Sequence, residues 1–291
     1  MSRLTTLGVS VWRKRGYPDA DGVMRMPIPH LPQLPPPIWR ESRIALETAS
    51  LLRDPIYNGD GVRSAGGQPV LLIPGFLAGD DSLGFMTKWL RRTGHQTRSA
   101  GIKANVGCSG KAVDRLLERT EALAERHGRR VVLIGQSRGG TFARVMAVNR
   151  PDLISGIVTL GSPLTGTFDI HPVVRMHVRV VGVLGTIGVP HMFSFNCLRG
   201  ECCESFRNDL DAPFPEDVGF VSIYSKSDGI VRWRACLDDA AKHVEVNASH
   251  IGMAVNPGAY RAMATALDRF RRQERKRAAA GLIPMPTAKA A

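Results

Sequence analysis

The chain has 291 residues, of which 43% are hydrophobic, and its formal net charge is +13. This length and apolar content fit one large α/β domain with appendages better than two comparable domains. With 6% aromatic residues and no recognisable nucleic-acid module, the basic charge does not predict a nucleic-acid partner. No apolar stretch approaches the roughly 20 residues that a membrane-spanning helix needs.

The first 67 residues differ from the rest of the chain. Residues 1–38 are rich in proline, which predicts an extended or disordered arm. They lack the apolar core of a secretory signal, so we expect a cytoplasmic protein. Residues 39–67 are predicted to form a helix, ended by Asp54 and Pro55, followed by a linker.

Residues 68–272 have the alternating pattern of an α/β domain. Strands are predicted at 70–73, 95–99, 131–134, 154–160, 219–225 and 244–246, and helices at 82–92, 110–126, 141–147 and 260–272. Such alternation predicts a mostly parallel central sheet with helices on both faces.

The alternation is interrupted between about residues 166 and 217, where the sequence is apolar but irregular. An insertion after a central strand lies over the carboxyl ends of the strands, where α/β folds bind ligands. We therefore interpret this segment as a lid or cap. Additional core packing is an alternative that is compatible with it.

Basic residues crowd the end of the last predicted helix and the start of residues 273–291, which are predicted to be a basic, disordered tail. The cluster comprises Arg269, Arg271, Arg272, Arg275, Lys276 and Arg277. A solvated helix end, stabilised by the helix dipole, is the favoured interpretation. Peripheral contact with an anionic membrane surface is the alternative.

The strongest chemical signal is the turn Gly135-Gln136-Ser137-Arg138-Gly139. It joins an apolar strand to a helix, the context in which G-x-S-x-G forms a nucleophile elbow. The glycines are needed because the turn is too sharp for Cβ atoms beside the strand and the helix. The hydroxyl of Ser137 is therefore a candidate nucleophile above the sheet.

A serine hydroxyl needs a general base that is held by an acid, and in this arrangement the acid and then the histidine follow the serine. His250, in a polar loop before the last helix, is the candidate base. Asp228, just beyond strand 219–225, is the candidate acid, and Asp238 and Asp239 are weaker alternatives. An ordinary loop histidine and a turn aspartate before glycine are the competing interpretations.

The negative charge that develops during nucleophilic attack needs backbone N–H donors. Arg138, the residue after the candidate nucleophile, is expected to supply one of them. Pro74 and Gly75 force a turn after the first strand, and this turn is expected to supply the second donor. We favour Phe76 for that role, with Leu77 as the alternative.

The chain has five cysteines, at positions 108, 197, 202, 203 and 236. Their spacing lacks C-x-x-C pairs and no histidine stands at ligand spacing, so no metal site is predicted. Free, partly buried thiols are the default for a cytoplasmic protein. A single disulfide is the alternative, because Cys197, Cys202 and Cys203 crowd one segment and Cys236 could lie near them.

Five blocks of the sequence resemble bacterial α/β-hydrolases of the lipase/esterase type: residues 69–79, 135–140, 160–163, 222–231 and 244–253. The resemblance spans about residues 68–270. It implies the α/β-hydrolase fold, a Ser137–Asp228–His250 triad without a cofactor, and ester or acyl hydrolysis through an acyl-enzyme. Two positions depart from the family: Pro74 stands where many lipases carry histidine, and Arg138 replaces a common leucine.

From these observations we expect an enzyme that cleaves carboxylic esters with a hydrophobic acyl group. Acyl transfer and thioester cleavage by the same triad are the enzymatic alternatives. The non-enzymatic alternative is an inactive hydrolase fold that binds a membrane surface or a protein partner.

Overall fold

The computed structural model describes residues 35–166 and 169–281. Its centre is a six-stranded sheet in the order β2-β1-β3-β4-β5-β6, and every neighbouring pair is parallel. The strands are β1 (Pro69–Ile73), β2 (Gln96–Ser99), β3 (Val131–Gln136), β4 (Ile154–Leu160), β5 (Gly219–Tyr224) and β6 (Lys242–Glu245). Strands β1, β3 and β4 are buried along their whole length, as continuous apolar runs predict.

Helices cover both faces of this sheet. They are α1 (Ile44–Arg53), α2 (Pro55–Asn58), α3 (Gly84–Arg92), α4 (Ser109–His127), α5 (Arg138–Asn149), α6 (Pro172–Thr186), α7 (Phe195–Arg199), α8 (Glu204–Asp211) and α9 (Pro257–Ala279). Val70 and Leu72 of β1 pack in one core with α3 and α9, whereas Leu71 and Ile73 pack in the other with α4 and α5. The predicted parallel sheet with helices on both faces is confirmed.

The segment between β4 and β5 differs from the irregular structure that we predicted, because it contains helices α6, α7 and α8. Apolar residues of α6 occur on both its buried and its exposed sides: Val181 is buried, whereas Met176 and Val180 are exposed. The sequence therefore has no contrast between apolar and polar faces from which a helical period can be recognised.

The last helix is longer than predicted, since α9 continues to Ala279. Residues 273–279 of the predicted disordered tail are therefore helical. The buried guanidinium of Arg130 forms ion pairs with Glu274 and with Asp217, and Arg277 also pairs with Asp217. These contacts hold the last turns of α9 against the sheet. Residues 1–34 of the predicted arm and residues 282–291 lie outside the described residues.

Candidate active site

Ser137, Asp228 and His250 lie at the carboxyl edge of the sheet. Ser137 stands between β3 and α5, and its N–H donates to the carbonyl of Leu160 at the end of β4 (2.8 Å). Asp228 follows β5 and His250 follows β6. The side-chain amide of Gln136 donates to the carbonyl of His250 (3.2 Å), which ties the histidine loop to the serine turn.

The turn that carries Ser137 depends on its glycines. A Cβ on Gly135 would lie 2.4 Å from the carbonyl of Gly139, and a Cβ on Gly139 would lie 2.2 Å from the carbonyl oxygen of Ile73. Ser137 itself has φ 53° and ψ −123°. A non-glycine residue in that region is held there only by its surroundings. The geometry is that of the predicted elbow.

Asp228 holds the ring of His250. Its Oδ2 lies 2.7 Å from His250 Nδ1, and both side chains are buried. Its Oδ1 accepts the N–H groups of Ile230 and Val231, each at 2.7 Å, so the carboxylate is fixed. Burial alone lowers the pKa of His250, but the charge and hydrogen bond of Asp228, together with the charge of Glu41, raise that pKa above its usual value.

Among the described residues, no hydrogen bond joins the hydroxyl of Ser137 to His250, although Gln136 links their backbones. Catalytic hydrogen bonds in ligand-free sites are often long and tighten only when substrate binds. The direct contact in this structure is therefore the one between the candidate acid and the candidate base.

A cleft with an empty volume of about 870 Å³, open to solvent, lies over Ser137. Its walls are mainly apolar and include Phe76, Val174, Val178, Phe193, Leu198 and Val231. Several of these side chains belong to the segment between β4 and β5, which therefore forms one wall of the cleft.

Both candidate oxyanion donors border this cleft. Phe76 and Arg138 line it together with Ser137, whereas Leu77 does not and is 52% exposed. The N–H of Arg138 belongs to the first turn of α5, where N–H groups have no acceptor within the helix. Asn105 forms an isolated β-bridge with Phe76, and its side-chain amide donates to the carbonyl of Pro74 (2.9 Å). These contacts fix the loop after β1.

The side chain of Arg138 connects the elbow to the loop before α4. Its guanidinium donates to the carbonyls of Asn105 (2.8 Å) and Gly107 (2.7 Å), and it lies over the rings of Phe142 and Phe193. Burial lowers the pKa of Arg138 to about 10. The residue that departs from the family pattern thus fixes a positive charge beside the cleft.

Glu41, which the sequence analysis did not single out, holds the histidine loop. Its carboxylate accepts the N–H groups of Gly229 (3.0 Å), His250 (2.9 Å) and Ile251 (2.9 Å). It therefore joins the loop of the candidate acid to the loop of the candidate base. No motif marks this residue, because it precedes the domain and looks like an ordinary charge in a helix.

Glu47 is a second acidic residue that was missed. It is buried, and it accepts the N–H (2.7 Å) and the hydroxyl (2.5 Å) of Ser249, the neighbour of His250. One signal was available in the sequence: Glu47 lies three residues after Ile44 and four before Leu51, on the apolar face of α1. A carboxylate in that position needs a buried partner.

Four cysteines converge beside the cleft. The Sγ atoms of Cys108, Cys197, Cys202 and Cys203 all lie within 4.8 Å of one another. The suggested proximity of Cys236 to this group is wrong, because Cys236 is buried in a different apolar cluster. All five cysteines are free thiols. The spacing of the cysteines along the chain does not reveal this cluster, because Cys108 lies in the loop before α4, far in sequence from the other three.

The basic cluster near the end of α9 is partly paired within the chain. Arg271 and Arg272 contact Asp268, and Arg277 contacts Asp217. Within residues 35–166 and 169–281, no helix has the length and apolar character to cross a membrane.

No protein-family model matches the chain. Solved structures similar to it include a metagenomic carboxyl esterase (TM-score 0.55, 16% identity, 82% of this chain and 92% of that chain). Another is a soluble variant of monoglyceride lipase from Saccharomyces cerevisiae (TM-score 0.53, 14% identity, 73% of this chain and 89% of that chain). A third is a lipase from Bacillus licheniformis (TM-score 0.52, 15% identity, 72% of this chain and 96% of that chain). At these identities the similarity shows the fold.

The chain therefore has the α/β-hydrolase fold. Many of the solved structures that share it are lipases and esterases, so the resemblance seen in the sequence is confirmed at the level of fold.

Proposed function

We propose that this protein hydrolyses carboxylic esters, with Ser137 as nucleophile, His250 as general base and Asp228 as the acid that orients it. The observation that carries the proposal is the buried contact of 2.7 Å between His250 and Asp228, beside the strained turn that presents Ser137. The fold shared with lipases and esterases supports the same reaction class.

In the first half-reaction His250 takes the proton of the Ser137 hydroxyl while Oγ attacks the ester carbonyl, and Asp228 stabilises the imidazolium. The N–H groups of Phe76 and Arg138 bind the oxyanion. The tetrahedral intermediate then breaks its bond to the alcohol, which leaves with the proton from His250. Water activated by His250 attacks the acyl-serine, and the carboxylic acid departs as Ser137 regains a proton.

The apolar walls of the cleft favour substrates whose acyl group is hydrophobic. We propose that the segment between β4 and β5 is a cap on this cleft, because Val174, Val178 and Leu198 form part of its wall. Substrates with longer apolar acyl chains should then bind better than acetyl esters.

Labelling with a fluorophosphonate probe tests the proposal most directly. The wild type and Ser82→Ala, which changes an exposed serine outside the cleft, should be labelled; Ser137→Ala and His250→Ala should not. Hydrolysis of p-nitrophenyl esters should fall by about 10⁴-fold or more in the last two variants. A folded wild type that is neither labelled nor active on any chain length would favour the non-catalytic alternative.

A further inference from the structure

We propose that Cys108, Cys197, Cys202 and Cys203 bind one Zn²⁺ ion in a tetrahedral thiolate site. The Sγ atom of Cys108 lies 3.3 Å from that of Cys203 and 3.6 Å from that of Cys202, and the Sγ atoms of Cys197 and Cys202 are 3.5 Å apart. Zinc–sulfur bonds of about 2.3 Å place tetrahedral sulfur ligands about 3.8 Å from one another. One ion therefore fits between the four sulfurs after small adjustments.

The pattern of contacts distinguishes this site from a pair of disulfides. A disulfide joins each sulfur to one partner at about 2.05 Å. Here Cys108 approaches both Cys202 and Cys203, and Cys202 approaches both Cys108 and Cys197. The four sulfurs thus converge on a common centre. Tetrahedral coordination by four cysteines is the usual structural zinc site.

A helix N-terminus and a hydroxyl group lie beside the sulfurs. Cys108 directly precedes α4, a helix of 19 residues whose N-terminal end carries partial positive charge. Gly110, in the first turn of this helix, lies beside Cys203, since a Cβ on Gly110 would be 4.0 Å from the sulfur of Cys203. The hydroxyl of Ser194 lies 3.7 Å from the sulfur of Cys197. Hydrogen-bond donors around a metal site orient its ligands in this way.

The charge of Arg138 is a separate argument for an anionic centre. Within the described part of the chain no carboxylate forms an ion pair with its guanidinium, which donates to the carbonyl of Gly107 (2.7 Å) and the hydroxyl of Ser109 (3.0 Å), the two neighbours of Cys108. Each thiol that ligates zinc releases its proton to solvent, so four thiolates around Zn²⁺ carry a net charge of −2. Such a centre supplies the opposite charge for this arginine.

The ion would join two parts of the fold that the sequence separates. Cys108 belongs to the loop before α4, and the other three cysteines belong to the segment between β4 and β5 that forms a wall of the cleft. Cys202 is exposed, which gives the ion a route of entry. The role is structural and does not depend on ester hydrolysis.

Metal analysis of the full chain tests the proposal. The protein is purified with a phosphine reductant and no chelator, and its zinc content is measured by mass spectrometry. We expect one zinc per chain in the wild type and in Cys236→Ala, the matched control, and less than a tenth of that in Cys108→Ala and Cys202→Ala. Absence of bound zinc, one iron in its place, or disulfides among these cysteines in the intact mass would overturn the proposal.

Two further measurements serve if the cysteine variants fail to fold. A mercurial reagent added to the folded wild type should release one zinc, detected with a metallochromic dye, as the thiols react. Replacement of zinc by Co²⁺ should give the intense visible bands and the sulfur-to-cobalt charge-transfer absorption of tetrahedral thiolate coordination. Weak bands of octahedral cobalt would contradict the four-cysteine site.

Discussion

The carboxylate of Glu41 acts on His250 in two ways, by binding its backbone N–H and by raising the pKa of its ring. A general base must be neutral to accept a proton, so a raised histidine pKa moves the acidic limb of the pH–activity profile upward. For ester hydrolysis we therefore expect an inflection above pH 6.5, the usual value for histidine.

The variant Glu41→Gln should move this inflection to lower pH, because it removes a negative charge that favours the imidazolium. The measurement is kcat/KM against pH with a p-nitrophenyl ester. Glu118→Gln, which removes an exposed charge on α4, is the control and should leave the inflection unchanged. Equal profiles for the wild type and Glu41→Gln would contradict the electrostatic role.

His95 makes stability depend on pH. It is buried, and burial lowers its pKa to about 4, against a usual value of 6.5. Between these values the unfolded chain binds a proton that the folded chain does not, so stability is full above pH 6.5 and falls as the pH drops toward 4. The loss amounts to at most about 3 kcal/mol.

Urea denaturation at pH 7 and pH 5 measures this dependence. His95→Gln should be less stable than the wild type at pH 7, since it disturbs hydrogen bonds to Thr93 and Leu90, but it should lose less stability on acidification. His177→Gln, on an exposed face of α6, should keep the wild-type dependence. Parallel losses in the wild type and His95→Gln would assign the pH effect to other groups.

At the scale of elements, α1 is joined to the histidine loop by one tightly fitted contact. A Cβ on Gly252 would lie 1.7 Å from the carboxylate of Glu47 and 2.5 Å from the hydroxyl of Ser249. The loop therefore has room for Glu47 only because position 252 carries no side chain. The carboxylate in turn satisfies two buried donors of Ser249.

A double-mutant cycle tests this fit. Glu47→Ala and Gly252→Ala should each destabilise the protein by about 2–4 kcal/mol, the first through unsatisfied donors and the second through the clash. Together they should cost less than their sum by about 1–3 kcal/mol, because the shorter side chain removes the closer of the two clashes and leaves only the one with the hydroxyl of Ser249. Gly84→Ala, where a Cβ meets nothing within 4 Å, should combine additively with Glu47→Ala.

At the scale of the whole molecule, the charge of +13 raises the question of anionic surfaces. Arg269, Arg275 and Lys276 are the exposed members of the basic cluster without a carboxylate contact among the described residues. If α9 simply ends in solvent, their contribution to binding is that of any three surface charges.

We therefore expect two triple glutamine variants to bind phosphatidylglycerol vesicles with equal affinity. One carries glutamine at positions 269, 275 and 276, and the other, the control, carries it at Lys88, Lys111 and Arg126. The control residues are exposed on other helices. Cosedimentation at several salt concentrations measures both. A larger loss for the α9 variant would support the membrane-contact alternative.

The fold was predictable because it depends on local patterns. Apolar runs mark the strands, and the glycines around Ser137 mark the sharp turn. Order along the chain and position beyond the strands were enough to propose Asp228 and His250. Glu41 and the cysteine cluster were not predicted because each depends on contacts between distant segments, which residue spacing does not encode. The spacing around Glu47 places a carboxylate on the apolar face of α1 but does not identify its partner. Helix α6 was not predicted because both of its faces are apolar.

Ser137 occupies a backbone conformation, φ 53° and ψ −123°, that glycine adopts readily and that costs other residues about 1–3 kcal/mol. Glycine at this position would relieve the strain and raise the melting temperature while removing the hydroxyl. A library ranked by heat resistance alone would accordingly become enriched in chains without this serine. With Ser137 as the proposed nucleophile, selection for robustness and selection for turnover oppose each other at this one residue, so an engineering screen has to score both.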